Sequence, residues 1–136
     1  MKNFVSLLCF LLLLCLWGSS HPLRKKMTIV RTTEAPRIDA NPGDKVWELA
    51  VPITDFIQHS PVNGGEPSQR TEVRMLYDNE AIYVLAILYD SSPDSIFREL
   101  GERDSGNEAN ADLFSLEMNP DNNGLHNVEF MVSAAG

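Results

Sequence analysis

Cysteine is almost missing from this chain: the 136 residues hold two, Cys9 and Cys15, both near the N-terminus. Tryptophan is equally rare, at Trp17 and Trp47. The longest apolar run, Phe4–Trp17, is 14 residues interrupted by Ser6, short of the roughly 20 that a spanning helix needs. Positive charge is scarce beyond Lys45, where Arg70, Arg74, Arg98 and Arg103 oppose 16 acids, a net of −12. Duplex nucleic acid is recognised through a basic stripe that meets the phosphates, so nucleic acid is not an expected partner. The remaining composition, 43% hydrophobic and 22% charged with eight Gly and eight Pro, excludes a collagen-like, coiled-coil or wholly disordered chain. The length is that of one domain.

The first twenty residues read as a secretory signal peptide, residues 1–20. Lys2 gives a short positive region, the apolar core follows, and the small residues Gly18 and Ser20 suit a cut before His21. A lipid-modified Cys15 is the alternative, but Leu14 stands where a small residue is required. Cleavage after Ser20 leaves 116 residues with no cysteine and a net charge of −9. A disulfide, a zinc–thiolate site and a thiol nucleophile are then excluded. The expected location is outside the cytoplasm, either secreted or at the cell envelope (periplasm, outer membrane or extracellular).

Residues 21–35 lack periodicity and read as a flexible, exposed lead-in. A short strand around Arg37–Asp39 and an Asn41-Pro42-Gly43 turn come next. Asp44 is placed to cap one helical turn through Leu49, with Trp47 on its buried side. Thr54–Gln58 reads as a strand and His59–Gln69 as a Gly/Pro loop. In Thr71–Tyr77 the residues Thr71, Val73, Met75 and Tyr77 share one face. Ala81–Tyr89 is apolar on both faces, the pattern of a central, doubly covered strand. Ser92-Pro93 signals a short helix to about Leu100. Gly101–Ala111 is polar loop, and Asp112–Met118 and Leu125–Ser133 form a hairpin around Asn119–Gly124. These elements predict an all-β fold closed as an antiparallel, jelly-roll-like β-sandwich over residues 36–136. Such a sandwich has seven or more strands, so truncation at the C-terminus and a further C-terminal domain of the same chain are expected.

The order of blocks carries a resemblance. R-I-D-A…D-K-V-W at Arg37–Trp47 precedes T-E-V-R-M-L-Y-D-N-E-A-I-Y-V-L-A-I-L-Y-D at Thr71–Asp90, then A-D-L-F-S-L-E-M-N at Ala111–Asn119 and V-E-F-M-V-S at Val128–Ser133. In these residues the chain resembles the family 9 carbohydrate-binding modules, in the version found at the N-terminus of exported bacterial proteins. The resemblance implies a β-sandwich with bound calcium that grips the ends of plant polysaccharides beside a glycoside hydrolase or membrane domain. The scaffold positions Asp39, Asp44, Trp47, Tyr77, Asp78, Tyr83, Asp90 and Asp112 match the pattern. Three sugar-contacting positions do not: Asn107–Asn110 lacks the tryptophan, Ser115 replaces an acid and Met131 replaces an arginine.

The expected function is noncatalytic carbohydrate binding, with a polysaccharide or oligosaccharide as partner and a link to carbohydrate catabolism. The candidate sugar contacts are Trp47, Tyr77 and Glu117. A platform needs an exposed flat ring, whereas Trp47 lies on the apolar half-turn of Val46, Leu49 and Ala50, so core packing competes for it. Calcium takes six to eight oxygens, and Asp90, Asp94, Asp104 and Asp112 are the candidate ligands, with ordinary solvated acids as the competing assignment. Asn119–Gly124 mimics the start of an EF-hand loop, but its first ligand is Asn and position twelve is Phe130, which favours a hairpin turn. His59, His126, Ser115 and Ser133 stand in no nucleophile–base arrangement, and no pair of acids is singled out for glycosidase chemistry, so no enzymatic activity is expected. The alternative function is a structural or interaction β-domain of a cell-envelope protein that does not bind sugar.

Overall fold

The computed structural model describes residues 25–102 and 110–136. Among the described residues the fold is all-β: five strands in two sheets, with two short 3-10 segments, Lys45–Leu49 and Pro93–Ser95. The first sheet has β1 (Val30–Arg31), β2 (Thr71–Tyr77) and β3 (Ile82–Leu88) in that order; the second is the hairpin of β4 (Leu113–Met118) and β5 (Val128–Ser133). Among the described residues no helix is long and apolar enough to cross a membrane.

β2 and β3 pair antiparallel along their whole length, from Thr71 opposite Leu88 to Tyr77 opposite Ile82. The turn between them is fixed by Asp78, whose Oδ1 accepts from the backbone N–H of Glu80 at 2.7 Å and of Ala81 at 2.9 Å. This is an Asx-type turn, and it sets the register. The register separates two faces. Glu72, Arg74, Leu76, Tyr83, Leu85 and Ile87 point one way; Thr71, Val73, Met75, Ile82, Val84, Ala86 and Leu88 point the other.

Both faces bury apolar side chains: Val73 and Met75 are buried on the second, and the Trp47 cluster lies on the first. Leu76 is fully buried and Trp47 is 4% exposed; with Ala50 they form a cluster closed by Val30, Val46, Tyr83 and Leu85. Trp47 is held there by the 3-10 turn Lys45–Leu49, whose Trp47 N–H donates to the Asp44 carbonyl at 3.1 Å. The same face buries a carboxylate. Glu72 is 8% exposed and meets Arg70 at 2.9 Å and Arg74 at 2.9 Å. Arg74 also donates to the carbonyls of Trp47 and Ala50, each at 3.1 Å, which ties the helical turn to β2. All buried side-chain polar atoms among the described residues have partners, as a buried charge requires.

Several expectations are corrected. Residues 30–32 are not an exposed lead-in: β1 pairs in parallel with Leu76 and Tyr77, and the Thr32 N–H donates to the Tyr77 carbonyl at 2.8 Å. Thr32 is buried, with its hydroxyl satisfied by the backbone of Glu34. Arg37–Asp39 is not a strand; the side chains of Asp39, Asn41 and Asp44 instead bind nearby backbone N–H groups. Thr54–Gln58 is irregular, and strand pairing there is a single bridge from Ile53 to Val73. The helix expected after Ser92 stops after Pro93–Ser95, because the chain turns extended at Ile96 and Phe97 accepts from the Asp112 N–H at 2.9 Å. β3 is not a central strand. Among the described residues it pairs only with β2 and leaves its other edge open.

Candidate functional site

Two concave surfaces stand out among the described residues. The larger is a cleft of about 1000 Å³ between the second face of the first sheet and the inner face of the hairpin. Ile82, Val84 and Leu88 line one wall, Phe114, Leu116 and Phe130 the other. The hairpin register puts Phe114 opposite Val132, Leu116 opposite Phe130 and Met118 opposite Val128, so the alternation of the two strands delivers all six side chains to one face. Asp90 and Asp112 also line this cleft, and its lining contains no Lys or Arg. Arg70, next to the lining residue Gln69, is committed to Glu72 and lies 4.7 Å from the centroid of the Tyr89 ring.

The smaller surface is a depression of about 430 Å³ at the β2–β3 turn, lined by Ile29, Tyr77, Asp78, Asn79, Glu80, Ala81 and Ile82. Tyr77 is 39% exposed there. Asp78 organises the depression from beneath: beyond its two backbone contacts, its Oδ2 accepts from the Tyr83 hydroxyl at 2.8 Å. Asn79 Oδ1 accepts from Arg31 at 2.7 Å. The backbone N–H groups of Glu80 and Ala81, then the Tyr83 hydroxyl, hold the Asp78 carboxyl below its ordinary value near 3.8, outweighing partial desolvation. The hydrogen bond to Asp78 in turn pushes the Tyr83 phenol above its ordinary 10.0.

These shifts have a sign. The depressed Asp78 contributes stability that is present above its unfolded value and lost as pH falls through its folded one; the raised Tyr83 contributes stability that is present below pH 10.0 and lost as pH rises through its folded value. Tyr83→Phe is therefore expected to lower stability near neutral pH and to flatten the loss of structure on the acid side, because with one of the contacts that depress it gone the Asp78 carboxyl titrates closer to its unfolded value. Circular dichroism melts between pH 3 and 7 measure it. A wild-type-like acid limb in the variant would show that the hydroxyl does not hold Asp78.

The sequence-predicted site residues fall in separate places. Trp47 lies in the core and presents no open face, so it is removed from the sugar-contacting set: the Val46–Ala50 half-turn packs its ring against Leu76. Tyr77 is in the depression. Glu117 is exposed on the outer face of the hairpin, opposite Glu129, with Asn127 Nδ2 3.5 Å from its Oε2. The hairpin register points Glu117 away from the cleft, and Tyr77 and Glu117 do not share a surface. Asp90 and Asp112 share the cleft, whereas Asp94 is exposed in the Pro93–Ser95 turn and outside the cleft lining. Asp104 lies outside the described residues. Among the described residues no three His, Cys, Asp or Glu side chains gather to hold a metal ion. In the Asn119–Gly124 turn, Asn119 Oδ1 and Asn123 Oδ1 accept from backbone N–H groups, the chemistry of a hairpin connection.

The cleft was signalled by the period-2 alternation of β4 and β5. The Asp78–Tyr83 contact had no signal beyond its i to i+5 spacing across a turn. Comparison with known proteins finds no match among family models, curated proteins or solved structures.

Proposed function

We propose that this chain is the noncatalytic carbohydrate-binding module of an exported protein, built as a β-sandwich and contacting a glycan at the depression around Tyr77. The observation that carries the reading is a half-exposed tyrosine beside Asn79 and Glu80 in a concavity of about 430 Å³. A sugar ring offers an apolar C–H face to an aromatic ring and a rim of hydroxyls to amides and carboxylates, and this surface supplies both. The order of blocks from Arg37 to Ser133 supports the same reading. Calcium belongs to it only through Asp90 and Asp112, the two candidate ligands that share a surface.

The test is calorimetric titration with xylan and cellulose oligosaccharides, with and without calcium. Binding is expected in the wild type, and Tyr77→Ala is expected to weaken it by about 0.5–1.5 kcal/mol, the worth of one aromatic contact. No heat from a folded protein with any of these glycans sinks the proposal.

A second reading is favoured by a different observation. The cleft is apolar and open, and several of its side chains stay largely in water, Phe130 at 53% and Val132 at 60%. Contiguous exposed apolar surface of this kind marks an interaction site. In this reading the chain is an interaction domain, and its ligand is polypeptide.

A further inference from the structure

The cleft supports an inference that deepens the interaction reading and rests on it. Burial is graded across the hairpin. On β4 the cleft-facing Phe114, Leu116 and Met118 are half-buried, whereas on β5 Val128, Phe130 and Val132 are exposed. The uncovered part of the cleft is thus the part under β5. The first sheet ends at β3, whose outer edge carries unpaired backbone groups among the described residues, while its inward side chains Ile82, Val84, Ala86 and Leu88 already line the cleft. An open edge beside an uncovered apolar face is a template for one more strand.

Charge selects the occupant. Asp90 and Asp112 line the cleft with no basic residue among its walls, and the chain carries a net of −8. A second copy brings like charge to that face, whereas a strand ending in lysine or arginine is attracted to it. We infer that the cleft accepts an extended polypeptide segment of alternating apolar residues with a basic end. The segment adds to the free edge of β3, puts its apolar side chains under Phe130 and Val132, and sets its cation by Asp90 and Asp112.

The experiment uses a labelled synthetic nonapeptide of alternating valine and threonine with a lysine at each end. Two controls accompany it: the same peptide with glutamate ends, and one of the same composition with its valines contiguous. Fluorescence anisotropy at low salt is expected to show the lysine-ended peptide binding at least about ten-fold tighter than the glutamate-ended one, the signature of electrostatic complementarity. The contiguous-valine peptide is expected to bind weakly, since alternation is what fills one face. Asp90→Asn/Asp112→Asn is expected to erase the lysine preference. Val132→Lys, at a position exposed enough to leave the melting curve in place, is expected to abolish binding. Isotope-edited infrared of the bound peptide is expected to show a strand band coupled to the sheet.

Equal affinity for all three peptides, or binding indifferent to Val132→Lys, overturns the proposal. So does a concentration-dependent dimer in sedimentation that the peptide fails to dissociate. Binding that depends on Val132 without a strand band overturns strand addition and leaves the interaction reading standing.

Discussion

Trp47→Ala is expected to destabilise the protein by about 4 kcal/mol, the usual cost of emptying a buried tryptophan site. The core that Trp47 fills is small: the fully buried Leu76, Ala50, and four partly covered neighbours. Little surrounding structure is available to collapse into the space, and Arg74 loses the fixed position of its Trp47 and Ala50 carbonyl acceptors. Against a typical total of about 5–15 kcal/mol, such a loss leaves a substantial unfolded population at 37 °C. Urea denaturation followed by circular dichroism measures it, and Trp47→Phe is expected to recover more than half. A variant with unchanged urea midpoint and reduced glycan binding would instead restore Trp47 as a contact residue. The two roles of this side chain are thereby separated by one pair of curves.

Arg74→Met is expected to cost about 3 kcal/mol. Breaking one side of a buried pair leaves the other charge uncompensated, which outweighs the modest worth of the pair itself. Arg74 gives two hydrogen bonds to backbone carbonyls and faces Glu72, whose side chain is 10% exposed. Arg70 still reaches Glu72 but is largely in solvent, so its compensation is partial. Glu72→Gln combined with Arg74→Met is therefore expected to recover part of the loss, since the double variant buries no lone charge. A double-mutant cycle on melting free energies reads this coupling. A double variant no more stable than Arg74→Met would show that the carbonyl contacts, and not the charge, dominate.

Much of the all-β organisation was legible in the residues. Thr71–Tyr77 is a strand with the predicted bounds, and the alternation of Leu113–Met118 and Val128–Ser133 gives a hairpin. The position of β3 was not legible for a specific reason. A run apolar on both faces reports that both faces meet apolar surroundings, here the Trp47 cluster on one side and an apolar cleft, with the hairpin across it, on the other. It reports nothing about edges, because an edge exposes backbone and backbone has no sequence signature. β1 was missed because two residues are too few for a period. The helix after Ser92 failed because an N-cap signal starts a helix without sustaining it, and Ile96 and Phe97 find better partners near Asp112 and the cleft. Of the candidate site, Tyr77 is placed where a ligand can reach it; Glu117 and Trp47 are sugar-contacting by residue type alone, and type does not specify a shared surface.

The parallel pairing of β1 has a consequence for chain entropy. β2 and β3 are joined by the short Asp78–Ala81 turn, whereas residues 32–70 separate β1 from β2. Loop-closure cost rises with the logarithm of that separation, so β1 carries the largest closure penalty of any pairing in its sheet and repays it with a ladder only two residues long. Its attachment therefore depends on what flanks the ladder: Val30 against the core and Thr32 sealed beneath the surface. The N-terminal strand is held by burial at its ends more than by the hydrogen bonds that define it.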